Sequence, residues 1–226
     1  MTMRPRFLVP AFLAAALLAP AGCNIITPAL YVAQGPPKTP AEFTLPKDRK
    51  TVVFVDDRRS AMSRLQLRAV LADDIGQSLK SLELVDEVVS GRELIAYVRR
   101  NESATKRIAI EDLGRAVNAD VVVYVEMEAF VLSPDGATPK PTAMARVKVI
   151  DVKEERRLFP PDGADPAGYP VVADMNALGN DAYRTSASRR RLEDLLAKRL
   201  ALEITQLFHE HDPKGFGQGV TTSMEG

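Results

Sequence analysis

Apolar and polar positions along the chain follow two periods, and an element begins or ends where the period changes. Thr51-Val52-Val53-Phe54-Val55 is a continuous β-branched and aromatic run that reads as a buried strand, closed by the polar turn Asp56-Asp57-Arg58-Arg59. Leu67, Leu71, Ile75 and Leu79 then recur every fourth residue, one stripe of a helix, with capping-box spacing at Ser63 and Gln66 ahead of it. Residues 82–89 read as a second strand. Ser90 and Glu93 form another capping box, opening a helix that faces Leu94, Ile95 and Val98 inward. Ile110, Leu113 and Val117 mark a short helix that stops near Asn118.

Residues 119–132 carry the strongest strand signal. Val121, Val122, Val123, Tyr124 and Val125 are apolar or aromatic without interruption, which suits a central strand covered on both faces. Beyond them Val125, Met127, Ala129 and Val131 alternate with Glu126 and Glu128. After a loop at 133–141, Ala143, Ala145, Val147 and Val149 alternate with Arg146 and Lys148. An antiparallel hairpin follows, and the charges suggest a register that sets Glu128 opposite Arg146, Glu126 opposite Lys148 and Met127 opposite Val147. Residues 155–159 read as a further edge strand. Residues 160–187, rich in Pro, Gly, Asp and Ala, read as a long loop. Ser188 opens the last helix, whose buried stripe is Leu192, Leu196, Leu200, Ile204 and Leu207 and whose end lies near Pro213. The expectation is a single α/β sandwich domain with a mixed sheet, in the order β-α-β-α-β-β(-β)-α, over residues 48–212, with a flexible tail at 213–226.

The N-terminal region has neither period. Arg4 and Arg6 precede an uncharged run at 7–19, too short for a spanning helix of about 20 apolar residues. A basic start, a short apolar run and small residues before a cut are the marks of an export signal, here residues 1–22. Leu18-Ala19-Pro20-Ala21-Gly22-Cys23 resembles the bacterial lipobox: Ala21, Gly22 and Cys23 match its last three positions, whereas Pro20 stands where a leucine is usual. The resemblance implies cleavage before Cys23 and lipid on that cysteine, the only one in the chain. Each buried CH₂ adds about 0.8 kcal/mol, so two or three acyl chains hold durably where one does not. Asn24, rather than Asp, points to the outer membrane. Pro28, Pro36, Pro37, Pro40 and Pro46 make residues 23–47 an extended tether.

Charge narrows the function. Removing 22 of the 226 residues takes Arg4 and Arg6 from 30 basic residues and none of the 30 acidic ones, leaving 204 residues with a formal charge of −2. That balance argues against a nucleic-acid partner. His209-Glu210-His211-Asp212 is the one histidine cluster, but neighbours two apart on a helix diverge, and no third or fourth metal ligand is evident. Asp56 and Asp57 follow a strand, where magnesium-binding aspartates occur, yet adjacent residues on an extended chain point to opposite faces. The glycines of 215–219 follow a helix instead of leading into one, unlike a phosphate cradle. Arg58-Arg59, Arg99-Arg100, Arg156-Arg157 and Arg189-Arg190-Arg191 read as solvated faces or helix-end charges, with anionic lipid or glycan as the alternative. No catalytic, cofactor-binding or metal residues are assigned, and no enzyme activity is expected.

The element order, the Val52-to-Leu79 start, the Asn118-Ala119-Asp120-Val121-Val122-Val123 entry to a central strand and the Val149-Ile150-Asp151-Val152 strand before a charged turn together resemble a group of periplasmic lipoproteins. That group includes the curli-secretion lipoprotein, the penicillin-binding-protein activators and the N-terminal domain of TolB. The resemblance covers about half the chain. Residues 160–187 lack the alternating strands of a membrane-spanning hairpin, so secretion-channel activity is not carried over. The expected function is a lipid-anchored periplasmic adaptor that meets an unidentified envelope protein through an exposed sheet edge or the 160–187 loop. The alternative is an auxiliary lipoprotein of an envelope transport system that binds a lipid or other apolar ligand. The partner and the oligomeric state are not readable.

Overall fold

The computed structural model describes residues 38–103, 106–179 and 184–213. Of these, residues 40–211 belong to one compact unit, while Lys38, Thr39, Asp212 and Pro213 belong to another. The larger unit is an α/β fold. Its elements are β1 (Thr51–Asp56), α1 (Gln66–Ser81), β2 (Val88–Val89), α2 (Gly91–Asn101), α3 (Ile110–Ala116), β3 (Val121–Val131), β4 (Thr142–Asp151), β5 (Arg156–Phe159), β6 (Tyr169–Asp174) and α4 (Ser186–Gln206).

The six strands form one mixed sheet in the order β2-β1-β3-β4-β5, with β6 also paired to β4. β1 runs parallel to β2 and β3, while β4 is antiparallel to β3, β5 and β6. One sheet face packs Val53, Val55, Val123, Val125, Val147 and Val149 against α1 and α4. Here the four-residue stripes read from the sequence are buried, Leu67, Leu71, Ile75 and Leu79 on α1 and Leu192, Leu196, Leu200 and Ile204 on α4. Burying each such side chain stabilises the fold by about 1.5 to 3 kcal/mol. The other face packs Val52, Phe54, Val122, Tyr124 and Ile150 against Leu94 and Val98 of α2 and Leu113 of α3. Val121 through Val125 are thus covered on both sides, as their unbroken apolar run requires.

Five details differ from the sequence reading. The second strand shrinks to Val88–Val89, because the chain first turns at Glu83, whose φ is 54°, after α1. Ser63 and Ser90 do not cap. Ser63 Oγ instead donates to Glu193 Oε1 at 2.6 Å, tying the entry of α1 to α4, and Ser90 precedes α2 without a side-chain bond. The capping box that does form joins Thr185 and Ser188 at the start of α4. Residues 40–47, placed in the tether by their prolines, belong to the folded unit: Leu45 is 4% exposed, and Glu42 and Phe43 donate their N–H groups to the Leu207 carbonyl. An aromatic side chain drives this docking, since the Phe43 ring lies 5.5 Å from that of Phe159.

The other two differences concern the hairpin and the loop after it. Glu126 faces Arg146, Tyr124 faces Lys148 and Met127 faces Ala145, two positions away from the charge-matched register. A bulge at Glu128, between Met127 and Ala129, then shifts the pairing so that Ala129 faces Met144. Up to Met127 a shift of two keeps every side chain on its expected face, so alternation does not distinguish the two registers there. Beyond the bulge Ala129 and Val131, expected on the same face as Met127, lie on the opposite one, and Phe130 takes the buried side. Residues 160–187 are not all loop: Tyr169–Asp174 is β6, paired with Thr142 to Val147 of β4.

Candidate protein-contact face

The apolar cluster beneath α2 and α3 stops at Tyr124 on β3 and Ile150 on β4 and takes no residue from β6. Beyond it the same sheet face continues across the far halves of β3, β4 and β6. Ala129, Met144 and Val172 lie opposite one another on those three strands, one apolar row across the face, with Val131 opposite Thr142 in the next row. Met144 is 40% exposed, Val172 41% and Val131 38%. Their alternating neighbours Ala143, Ala145, Val171 and Ala173 are buried on the helix-covered side, which holds the row in place.

Charges frame the row. Arg146, with Glu126 opposite on one side and Pro170 on the other, directs Nε to Glu128 Oε1 at 3.1 Å and Nη1 to Asp165 Oδ2 at 2.9 Å. Its Nη1 also reaches the Gly168 carbonyl at 3.3 Å, so one guanidinium joins the β3 bulge to the turn before β6. That turn requires glycine. Gly168 has a φ of 112°, and a Cβ there would lie 3.0 Å from the Val147 carbonyl oxygen. At the far end Thr142 Oγ1 donates to Asp174 Oδ1 at 2.9 Å. Lys148 Nζ sits 6.0 Å from the centre of the Tyr124 ring, at the boundary with the helix-covered half.

At that boundary Tyr124 OH donates to Asp56 Oδ2 at 2.7 Å, and Arg58 pairs with the same carboxylate. Burial first, and the adjacent Asp56 carboxylate second, push the Tyr124 phenol well above its ordinary value. The folded state therefore favours the neutral phenol. Its contribution is complete below the unfolded pKa of about 10 and is lost as pH rises from there. Tyr124→Phe should cost about 1 kcal/mol in urea unfolding at pH 7 and flatten the alkaline loss of stability. An unchanged alkaline limb would refute this assignment.

The two aspartates that follow β1 diverge as adjacent extended residues must. Asp56 turns to Tyr124, whereas Asp57 accepts from Ala61 N at 2.7 Å and Met62 N at 3.0 Å and shapes the turn. His209 Nδ1 lies 3.0 Å from the Thr205 carbonyl and His211 Nδ1 lies 3.1 Å from that of His209. Among the described residues no group of three or more His, Cys, Asp or Glu is placed to hold a metal ion. The arginine pairs separate: Arg58 binds Asp56, Arg156 binds Glu154, and Arg157 donates to the carbonyls of Pro161 and Asp165. Cys23 and the glycines of 215–219 lie outside the described residues. No described helix is long and apolar enough to cross a membrane.

A second polar centre was not foreseen in the sequence. Arg49 holds Asp151 through two bonds, Nη1 to Oδ2 at 2.6 Å and Nη2 to Oδ1 at 2.9 Å, and Nη2 also reaches the Asp120 carbonyl at 3.1 Å. Lys50 N donates to Asp120 Oδ2 at 3.0 Å, so the entry to β1 is locked to the start of β3 and the end of β4. The only hint in the sequence is a carboxylate closing each of two apolar strand motifs, Asp120 before Val121 and Asp151 after Ile150.

No family model matches the chain, and no curated protein matches it in sequence. Solved structures do. The PelC dodecamer from Paraburkholderia phytofirmans aligns at 12% identity and a TM-score of 0.42, over 76% of this chain and 96% of that one. GNA1162 from Neisseria meningitidis aligns at 12% identity and a TM-score of 0.38, over 67% and 96%. That protein is a lipoprotein. The LpoB C-terminal domain from Salmonella enterica aligns at 12% identity and a TM-score of 0.35, over 58% and 85%. The neighbours thus include a bacterial lipoprotein. At such identities and scores a likeness carries nothing about function.

Proposed function

We propose that this chain is a lipid-tethered adaptor of the bacterial cell envelope, without catalytic activity of its own, that works by protein contact through the uncovered half of its sheet. The observation that supports the reading is the Ala129–Met144–Val172 row. It is apolar, exposed at Met144 and Val172 and half-buried at Ala129, built on three paired strands and bordered by Glu126, Arg146, Lys148 and Asp174. A rigid apolar centre with a charged rim has the make-up of a protein interface core and its surround. The edge and the 160–187 segment that the sequence offered as separate contact sites meet in β6. A lipid carrier needs an enclosed apolar cleft. Two grooves among the described residues are instead open and partly charged. One of about 500 Å³ beside α2 and α3 is lined by Lys106, Arg107, Asp112 and Arg115 as well as Tyr97 and Ile108, and one of about 380 Å³ between α1 and β2 by Asp73 and Lys80 as well as Val88 and Val89.

In this reading Cys23 carries the lipid and the chain is held on the periplasmic side, at the outer membrane. Cys23→Ser should abolish labelling by a fatty-acid analogue, and unchanged labelling would sink the tether. Affinity capture from crosslinked envelopes tests the rest. Copurifying protein is the expected result, whereas copurifying lipid without protein would favour the carrier.

A further inference from the structure

We infer that the outer edge of β6 pairs with the β6 edge of a second copy of this chain, antiparallel and centred on Val172. Met175 N donates to the Pro141 carbonyl at 3.0 Å, directly opposite it in the β4–β6 ladder. Antiparallel partners alternate between hydrogen-bonded and non-bonded pairs, so Ala173, Val171 and Tyr169 also bond inward to β4. Pro170, Val172 and Asp174 consequently turn their backbone groups outward, and all three residues are exposed. Among the described strands β6 pairs with β4 alone. Pro170 fits this edge because its missing N–H is one that β4 does not use.

The outward groups are two donors, the N–H of Val172 and of Asp174, and three acceptors, the carbonyls of Pro170, Val172 and Asp174. Such an edge is a template for strand pairing, and closed two-copy assemblies are two-fold symmetric. With Val172 opposite Val172 of the second copy, both donors on each strand are used. Val172 bonds Val172 reciprocally, and each Asp174 N–H meets a Pro170 carbonyl. The proline then restricts the register instead of blocking the edge. Shifting the centre to Ala173 keeps the bond number but sets Asp174 against Val172 and brings the two Asp174 carboxylates within about two residue steps, roughly 7 Å along the strands. Centring on Val172 separates them by about four steps, roughly 13 Å, and places apolar against apolar. It also joins the two Ala129–Met144–Val172 rows into one strip across a continuous sheet, doubling the proposed contact face.

The inference rests on the reading that this side of the sheet is where the protein meets other proteins. Cysteine crosslinking of the full chain in envelopes tests it, because directly opposed strand residues lie within disulfide reach. Under copper–phenanthroline oxidation, V172C should yield a dimer on non-reducing gels, while wild type and V131C, exposed on the same face but away from the edge, should stay monomeric. V172P, which removes an outward N–H and no bond to β4, should halve the particle mass of the chain in density-matched detergent. A V172C monomer, equal crosslinking of V131C, or a wild-type mass of one copy would overturn the pairing. If those results coincide with intact capture of a different protein, the self-pairing fails while the adaptor reading stands.

Discussion

Replacing Asp151 by Ala should cost the folded unit about 3 kcal/mol, measured as a lower urea midpoint for residues 38–213 at pH 7 with an unchanged denaturant slope. Asp151 is 2% exposed and accepts both Arg49 bonds, together with the N–H groups of Lys153 and Glu154 at 3.0 Å each. Truncation would leave Arg49, whose side chain is only 27% exposed, without its counter-charge, and two turn N–H groups without an acceptor. The Arg49 bonds, against the opposing effect of burial, hold the Asp151 carboxyl well below the usual carboxylate range. A depressed folded value means that this stabilisation is present above the unfolded pKa of about 3.9 and is lost as pH falls from there through the folded value. The wild type should therefore lose stability steeply below about pH 4, and Asp151→Ala less so. Parallel acid limbs for the two would show that the pair contributes nothing.

Gly114→Val should destabilise by about 2 to 3 kcal/mol. α3 lies so close to the sheet that a Cβ on Gly114 would stand 2.4 Å from Val152 Cγ2 and 2.9 Å from Val122 Cγ2. Both obstacles are methyl groups of buried, β-branched side chains, which cannot swing aside as a long side chain would. Gly114→Ala meets the same contact but regains about 1 kcal/mol of helix propensity, so it should lose less. Hydrogen exchange should speed up first at residues 110–116 and at Val122. If both variants kept wild-type stability, α3 would not be seated on this face, and the boundary between covered and open sheet would lie elsewhere.

Local periodicity was enough to place α1, α4, β1 and β3, because a stripe every fourth residue or an unbroken valine run has one inexpensive way to be buried. It also placed the hairpin residues on their faces up to Met127, but not Ala129, Phe130 and Val131, whose faces the bulge exchanges. The register was not legible. Glu126 opposite Lys148 and Glu126 opposite Arg146 both satisfy the alternation, and the choice depends on a bulge that carries no local signature. β6 was hidden by Pro170, which breaks the strand pattern yet is tolerated because its nitrogen points away from β4. The contact face was illegible for the same reason. Met144 and Val172 become neighbours only once β6 is paired, and the Arg49–Asp151 bond spans 102 residues with no periodic trace. The tether boundary was misplaced because prolines outweighed Phe43 and Leu45, two apolar residues too few to show a period.

Capture from crosslinked envelopes, comparing the wild-type full chain with Met144→Glu, bears most directly on the proposal of a protein-contact adaptor. Met144 sits at the centre of the exposed row, so a carboxylate there would be desolvated by any partner that covers it, while the 40% exposure in the free chain leaves folding nearly untouched. The expected result is a protein recovered with the wild type and reduced at least roughly tenfold with the variant, equivalent to about 1.4 kcal/mol or more, with lipid labelling and urea midpoint unchanged. Equal recovery from both chains, or recovery of lipid alone, would contradict it.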